Sequence, residues 1–167
     1  MKPQLEIRHS WIYNVLINKH YWKYSLKKHA KLKKDCRKFE NLLNENKTKI
    51  IKLIEKHSKK GKWFYDFIPI YIVRIKPELE NKRNSFSDPL TLKYKRDPNA
   101  MLCVLIHELI HNYLPEDGQV KRGREKNELL VWEITVKVWN DLGIPSKPKV
   151  KSEKFNRLWA VLQREVG

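Results

Sequence analysis

The chain has 167 residues, of which 41% are hydrophobic and 33% are charged, and its formal net charge is +17. This composition is typical of a globular protein and argues against intrinsic disorder, and no apolar run approaches the roughly 20 residues of a transmembrane helix. The first residues lack the apolar core of a secretion signal and two cysteines give no disulfide framework, so we expect a cytoplasmic protein without membrane contact.

The length allows one domain, residues 1–167, and the sequence divides into three parts. Residues 1–60 form a basic region that is expected to be helical. Residues 61–145 contain a predicted sheet and two amphipathic helices, and residues 146–167 contain a linker and a last helix. This order of elements predicts an α+β fold in which a small sheet packs on the two central helices.

The N-terminal region carries most of the net positive charge, +12 of +17, with 17 Lys and Arg against 5 acidic residues in positions 1–60. Ser10 is predicted to cap a helix with one apolar stripe, formed by Trp11, Val15, Trp22 and Leu26. A second helix is predicted to follow, with a stripe of Phe39, Leu43, Ile50 and Ile54. A break of this second helix at residues 44–47 is left open.

The densest basic run, residues 31–38, has two interpretations. It is either the solvated face of helices in a lysine-rich protein or a contact for the phosphates of a nucleic acid, because clustered Lys and Arg bind polyanions independently of sequence. No base-reading motif or zinc-finger spacing accompanies it, so a nucleic-acid contact is expected to be weak. The four histidines of these basic stretches are expected at the surface, namely His9, His20, His29 and His57.

Two stretches predict strands. Residues 63–75 are rich in β-branched and aromatic residues and are expected to form a strand from about Ile68, with Pro69 at its start. In residues 90–95, apolar and polar residues alternate, which indicates a half-exposed strand that leads into the next helix. Its predicted inner residues are Leu90, Leu92 and Tyr94.

The clearest helix signal covers residues 98–114 and contains the pentapeptide His107-Glu108-Leu109-Ile110-His111. Asp97 fits the N-cap, Pro98 fits the first helical position, and Pro115 ends the run.

The two histidines of this helix can share one metal ion. His107 and His111 lie about 40° apart on a helix with about 100° per residue, so both imidazoles can converge. Glu108 lies at the rim of the same face, where its carboxylate can take a proton from a water activated by the metal. Cys103, one turn before His107, is expected to be a small core residue.

A catalytic zinc usually has three protein ligands, and a second helix, predicted over residues 124–142, offers the third. Glu128 lies on its apolar face with Trp132 and Trp139, where a carboxylate is costly to bury unless it is paired or binds a metal. Glu133 lies on the polar face, where it can pair with a lysine. Glu128 is therefore the predicted third ligand, and the alternatives are Glu133, Glu116 and Asp117.

After this helix, Gly143 and a Pro/Lys-rich linker lead to a last helix, which Ser152 is predicted to cap. We expect this helix to pack on the core through a stripe of Phe155, Leu158, Trp159 and Leu162.

The metal-site residues resemble a known family. The pentapeptide from His107 to His111, followed after 17 positions by Asn127-Glu128, is similar to the gluzincin branch of the zincin metallopeptidases, and the short chain is most like its minimal members, the minigluzincins. The resemblance covers roughly residues 90–143. It implies that His107, His111 and Glu128 bind Zn²⁺ and that Glu108 is the general base. It also implies that residues 90–95 form an edge strand that pairs with extended substrate.

The predicted function is zinc-dependent hydrolysis of peptide bonds in a polypeptide substrate, with Glu108 as the catalytic residue. The alternative is a basic nucleic-acid-binding protein whose zinc site is structural or inactive, or a peptidase that acts on proteins associated with nucleic acids.

Overall fold

The computed structural model describes residues 2–18, 24–58, 61–75, 86–87, 89–114, 125–144 and 146–166. In chain order its elements are β1 (Gln4–Arg8), α1 (Trp11–Ile17), α2 (Leu26–Asp35), α3 (Arg37–His57), β2 (Phe67–Val73), β3 (Phe86–Ser87), β4 (Leu90–Lys93), α4 (Pro98–Tyr113), α5 (Glu125–Leu142) and α6 (Glu153–Val166). This is an α+β arrangement, which confirms the predicted fold class at that level.

The sheet has the strand order β1-β2-β4-β3. Strands β1, β2 and β4 are parallel, and the two-residue β3 runs antiparallel to β4. Pro69 is the third residue of β2 rather than its first. Its missing N–H is tolerated because the pairing of β2 with β4 begins only at Tyr71, so no ladder bond is lost there.

Strand β4 is more buried than its alternating sequence predicted. Thr91, expected to be exposed, is buried because α1 lies over it, and its hydroxyl group is 2.7 Å from that of Tyr13. The Tyr13 ring also packs on Tyr71 of β2, with centroids 4.6 Å apart. Strand β3 pairs with β4 at Leu90 and Thr91, so β4 is not the bare edge strand that the family resemblance implied.

The N-terminal region differs most from its prediction. It contains β1, which was expected to be helical, and α1 ends at Ile17 instead of continuing toward Leu26. Ser25 caps a new helix, with its side chain accepting a hydrogen bond from the backbone N–H of Lys28. The predicted stripe is therefore wrong, because Trp11 and Leu26 lie on separate helices and both are exposed. Trp22 lies outside the described residues.

Helix α3 is continuous through residues 44–47, where a break was considered. Its apolar stripe remains in phase along the whole helix, with Phe39, Leu43, Ile50 and Ile54 buried, and it packs against both α4 and α5. This tertiary packing outweighs the low helix propensity of the two asparagines in residues 44–47.

Three of the histidines predicted at the surface, His9, His29 and His57, are instead half-buried. His9 Nε2 is 2.5 Å from Glu40 Oε1, and His57 Nε2 is 2.9 Å from Asp141 Oδ2. Each of these carboxylates pairs with one ring nitrogen, which accounts for the burial of His9 and His57 beside α3 and α5. The fourth histidine, His20, lies outside the described residues.

One hydrophobic cluster runs from Leu5 in β1 to Phe155 in α6. Helix α4 lies in its middle and contacts β4, α3 and α5. Cys103 is buried there, as predicted for a core residue. As expected, α6 is capped by Ser152 and packs on α5. Among the described helices, none combines the length and apolar character needed to cross a membrane.

Gly61 fixes the chain against the end of α4. The backbone N–H of Lys62 donates to the carbonyl oxygen of Tyr113 at 3.1 Å, and the rings of Trp63 and Tyr113 pack with centroids 4.8 Å apart. A Cβ added at Gly61 would overlap the Tyr113 ring and lie 2.7 Å from its carbonyl oxygen. Only glycine fits this approach.

We therefore expect Gly61→Ala to lower the free energy of unfolding by about 1–3 kcal/mol through overpacking, measured by urea denaturation. Gly143 is the matched control. It ends α5 with φ 73° and has no heavy atom within 4 Å of an added Cβ. Because asparagine tolerates this backbone conformation, Gly143→Asn should cost well under 1 kcal/mol. Equal destabilisation by the two variants would contradict the packing explanation.

Candidate metal centre

The first two side chains of the site are positioned by α4. Its N-terminus is fixed by Asp97, whose side chain accepts from the backbone N–H of Asn99, and Pro98 stands in the first turn. Nearly every side of the helix is buried, which fixes its rotation. His107 and His111 consequently share one face, with Nε2 atoms 3.2 Å apart and ring centroids 4.8 Å apart.

The third side chain comes from α5, which packs on α4. Glu128 Oε1 is 3.2 Å from His111 Nε2, and Glu128 Oε2 is 3.5 Å from His107 Nε2. The candidate ligand atoms of the three residues all lie within 4.8 Å of one another, and this group can hold a metal ion. Helix α5 is held in this orientation by buried residues, including Val131, Val136 and Trp139.

The alternative ligands are not in this cluster or are not described. Glu133 points to solvent and pairs with Lys137 at 2.7 Å, as an i,i+4 ion pair on the outer face of α5. Glu116 and Asp117 lie outside the described residues. The helical periodicity that separated Glu128 from Glu133 in the sequence therefore agrees with their positions.

Two of the donor-atom distances are close to those of a tetrahedral zinc site. Two ligand atoms at 2.0–2.1 Å from a zinc ion, separated by the tetrahedral angle, lie about 3.3–3.4 Å apart. The two Nε2 atoms are 3.2 Å apart, and His111 Nε2 is 3.2 Å from Glu128 Oε1. The 3.5 Å contact of His107 Nε2 is to the other carboxylate oxygen, Oε2. Two imidazole nitrogens and one carboxylate also form the donor set of a known class of zinc hydrolase sites.

The electrostatics favour the metal-binding protonation states of His107 and Glu128. Burial lowers the pKa of His107, an effect that Glu128 partly offsets, so the imidazole is neutral at pH 7. Hydrogen bonds from His107 and His111 hold the pKa of Glu128 well below its usual range, against the opposing effect of burial. Neutral histidines and an ionised carboxylate are the forms that bind a metal cation.

His107 has an unusual surrounding for a metal ligand. Its Nδ1 atom is buried without a hydrogen-bond partner, whereas the second nitrogen of a metal-binding histidine normally donates to a carbonyl or carboxylate. The ring instead stacks on Trp132, with centroids 3.9 Å apart and planes at 30°. Trp132 packs in turn on Phe155 of α6, which stacks on Trp159. Aromatic packing therefore holds this ring.

The sequence placed Trp132 on the face of Glu128 but gave it no role toward His107. Helical spacing could have indicated this contact, because Trp132 lies four residues after Glu128 and residues at i and i+4 of a helix cover the same surface.

Glu108 follows His107 directly on α4 and is half-buried. Its predicted role in proton transfer stays a prediction.

Searches with protein-family models, among curated proteins and among solved structures found no match to the chain.

The donor set predicts that the protein binds about one equivalent of Zn²⁺. We expect His111→Ala and Glu128→Ala to lose most of this metal, measured as zinc content after gel filtration and as affinity in competition with a chromophoric chelator. Glu133→Ala is the matched control and should retain wild-type zinc, at a stability cost of at most about 0.5 kcal/mol. Zinc loss in Glu133→Ala with retention in Glu128→Ala would reassign the third ligand.

The stacking contact predicts a second result. Trp132→Leu should weaken zinc binding on the order of 10-fold, the lower range for losing a residue that orients a ligand. Trp132→Phe keeps a ring on His107 and should restore most of the affinity. Trp159→Leu, at the far end of the aromatic stack, is the control and should bind like wild type. A folded Trp132→Leu protein with unchanged affinity would rule out this role.

Proposed function

We propose that the protein is a zinc-dependent metallopeptidase of the gluzincin type, with His107, His111 and Glu128 as zinc ligands. The observation that carries the proposal is the convergence of two histidine nitrogens and a glutamate carboxylate from consecutive helices. The order of these residues along the chain, with a glutamate directly after the first histidine, adds support.

The number of ligands favours catalysis over a structural zinc. Structural sites are almost always closed by four protein ligands and commonly use cysteine, whereas catalytic sites have three and leave a position for water. Within the described part of the chain the cluster contains three such residues. The two cysteines, Cys36 and Cys103, are buried, and burial raises the pKa of Cys36 to about 12, which disfavours the thiolate that would bind zinc.

The proposed mechanism assigns a separate task to each residue. His107, His111 and Glu128 would hold the zinc ion, which would lower the pKa of a bound water and polarise the scissile carbonyl. Glu108 accepts the proton of the attacking water on its carboxylate and then donates it to the leaving amine. Glu128 contributes negative charge and, with His107 and His111, holds the reaction centre beside Glu108. The packing of α4 and α5 keeps this arrangement preorganised, so little reorganisation is needed during the reaction.

The experiment that tests this mechanism is Glu108→Gln. We expect this variant to retain zinc and thermal stability and to lose at least about 100-fold in the cleavage rate of an unstructured protein, because only proton transfer is removed. Cleavage is followed by gel electrophoresis and by mass spectrometry of the products.

Two controls make the result interpretable. Asn112 is a half-buried residue one turn after Glu108 on α4, and its side-chain amide donates to the Glu108 carbonyl oxygen at 3.4 Å. The variant Asn112→Ala should retain activity. Wild-type protein treated with a chelator should be inactive and regain activity with Zn²⁺. If Glu108→Gln cleaves as fast as wild type, the proposed role of Glu108 is wrong.

A further inference from the structure

The inner side of helix α1 contains buried polar residues beside apolar ones. Val15 packs against the hydrophobic core, and Asn14 and the C-cap residue Asn18 are both buried. The Asn14 side chain donates to the carbonyl oxygen of Ile72 at 3.2 Å and accepts from the backbone N–H of Arg74 at 2.9 Å. Asn18 donates to the carbonyl oxygen of Arg74 at 3.0 Å. These bonds to the end of β2 fix the rotation of the helix.

The opposite side of α1 carries large apolar residues into solvent. Ile12 is 64% exposed and Leu16 is 54% exposed, and their four-residue spacing places them on one stripe. They cannot turn inward without breaking the buried asparagine contacts, which would leave unsatisfied polar groups in the core. An exposed apolar stripe fixed in this way indicates a surface that contacts something else.

Exposed apolar and basic residues also lie at the start of α2, close to α1. The indole N–H of Trp11 donates to the carbonyl oxygen of Tyr24 at 2.8 Å, which brings the beginning of α2 beside α1. Leu26, the first residue of α2, is 70% exposed, and Trp11 is 40% exposed. Lys27 and Lys31 follow on α2 and are exposed as well.

We propose that this surface, formed by Ile12, Leu16, Leu26, Lys27 and Lys31, binds the anionic face of a lipid bilayer. Apolar side chains flanked by lysines, with a tryptophan beside them, fit the boundary between acyl chains and phosphate headgroups. This revises the expectation of no membrane contact, which rested only on the lack of a spanning segment. It is independent of the peptidase proposal.

Charge and chemistry favour a bilayer over two other partners. A second copy of the chain would bring lysines of a protein with net charge +17 against each other, and the stripe is small beside the roughly 800 Å² per partner of a stable dimer. A nucleic acid would attract the lysines but would leave Ile12 and Leu16 without an apolar environment. An anionic bilayer offers phosphate groups to the lysines and an apolar environment to Ile12 and Leu16.

The test is co-sedimentation with vesicles of phosphatidylcholine, with and without phosphatidylglycerol. We expect the full chain to bind the anionic vesicles and to bind much more weakly to the neutral ones. The double variant Ile12→Ser/Leu16→Ser should weaken binding by at least about 10-fold, because two apolar side chains no longer enter the lipid. Lys27→Glu/Lys31→Glu should weaken it at least about 20-fold, at roughly fivefold per lost lysine charge.

Matched variants elsewhere separate this surface from overall charge and hydropathy. Val161→Ser removes an exposed apolar residue from α6, and Lys52→Glu/Lys147→Glu reverses two exposed lysines outside the surface. Val161→Ser should bind vesicles like wild type. Lys52→Glu/Lys147→Glu should lose less vesicle affinity than Lys27→Glu/Lys31→Glu. All variants change exposed side chains, and circular dichroism verifies that they fold.

Several outcomes would overturn the proposal. One is a folded wild-type protein that does not sediment with anionic vesicles. Another is a dimer, detected by light scattering, that Ile12→Ser/Leu16→Ser converts to a monomer. A third is retention of DNA at about 150 mM salt that depends on the lysines but not on Ile12 and Leu16, because this would identify a nucleic-acid surface. Peptide cleavage in solution should be unchanged in all of these variants.

Discussion

The Nε2 atoms of His107 and His111 face each other at 3.2 Å, and Glu128 closes the group from the neighbouring helix. Two imidazole N–H groups cannot point at each other over this distance without repulsion, and even a half-buried carboxylate such as Glu128 is stabilised by a positive partner. A cation between the three side chains removes both problems, because it binds the lone pairs of neutral histidines and the charge of Glu128. The packing of α4 against α5 thus depends on what balances the charge and the hydrogen-bonding groups of these three side chains.

The fold gives this group a rigid frame. Helix α4 contacts β4 on one side and α3 and α5 on others, so its histidines cannot rotate away from Glu128. The His107 ring is held between the α4 backbone and Trp132, and Trp132 is held by Phe155 of the last helix. The C-terminal helix therefore supports the metal centre through aromatic contacts, although it contributes no ligand. Such support keeps the candidate ligands in a defined geometry, which a metal site requires.

The central part of the chain was predictable because its local signals agree. Asp97 and Pro98 mark the start of α4, and helical periodicity alone separates Glu128 from the solvent-exposed pair of Glu133 and Lys137. The support from Trp132 was not predicted, since it depends on how two helices pack. Strand β1 was missed because its five residues pair with β2 across about 60 positions, and a pattern so short does not show its partner.

The N-terminal helices show why hydropathy failed there. The prediction turned Trp11 and Leu26 inward, as periodicity requires, but buried asparagines occupy that side of α1. Asn14 both donates to and accepts from the main chain of β2, so its burial is fully compensated and its role is structural. The cluster of α4 and α5 differs, because the side chains of His107, His111 and Glu128 contact one another and the Nδ1 atom of His107 is buried without a partner. Backbone partners account for the burial of Asn14, whereas the two histidines and Glu128 form a group of side chains that can hold a metal ion.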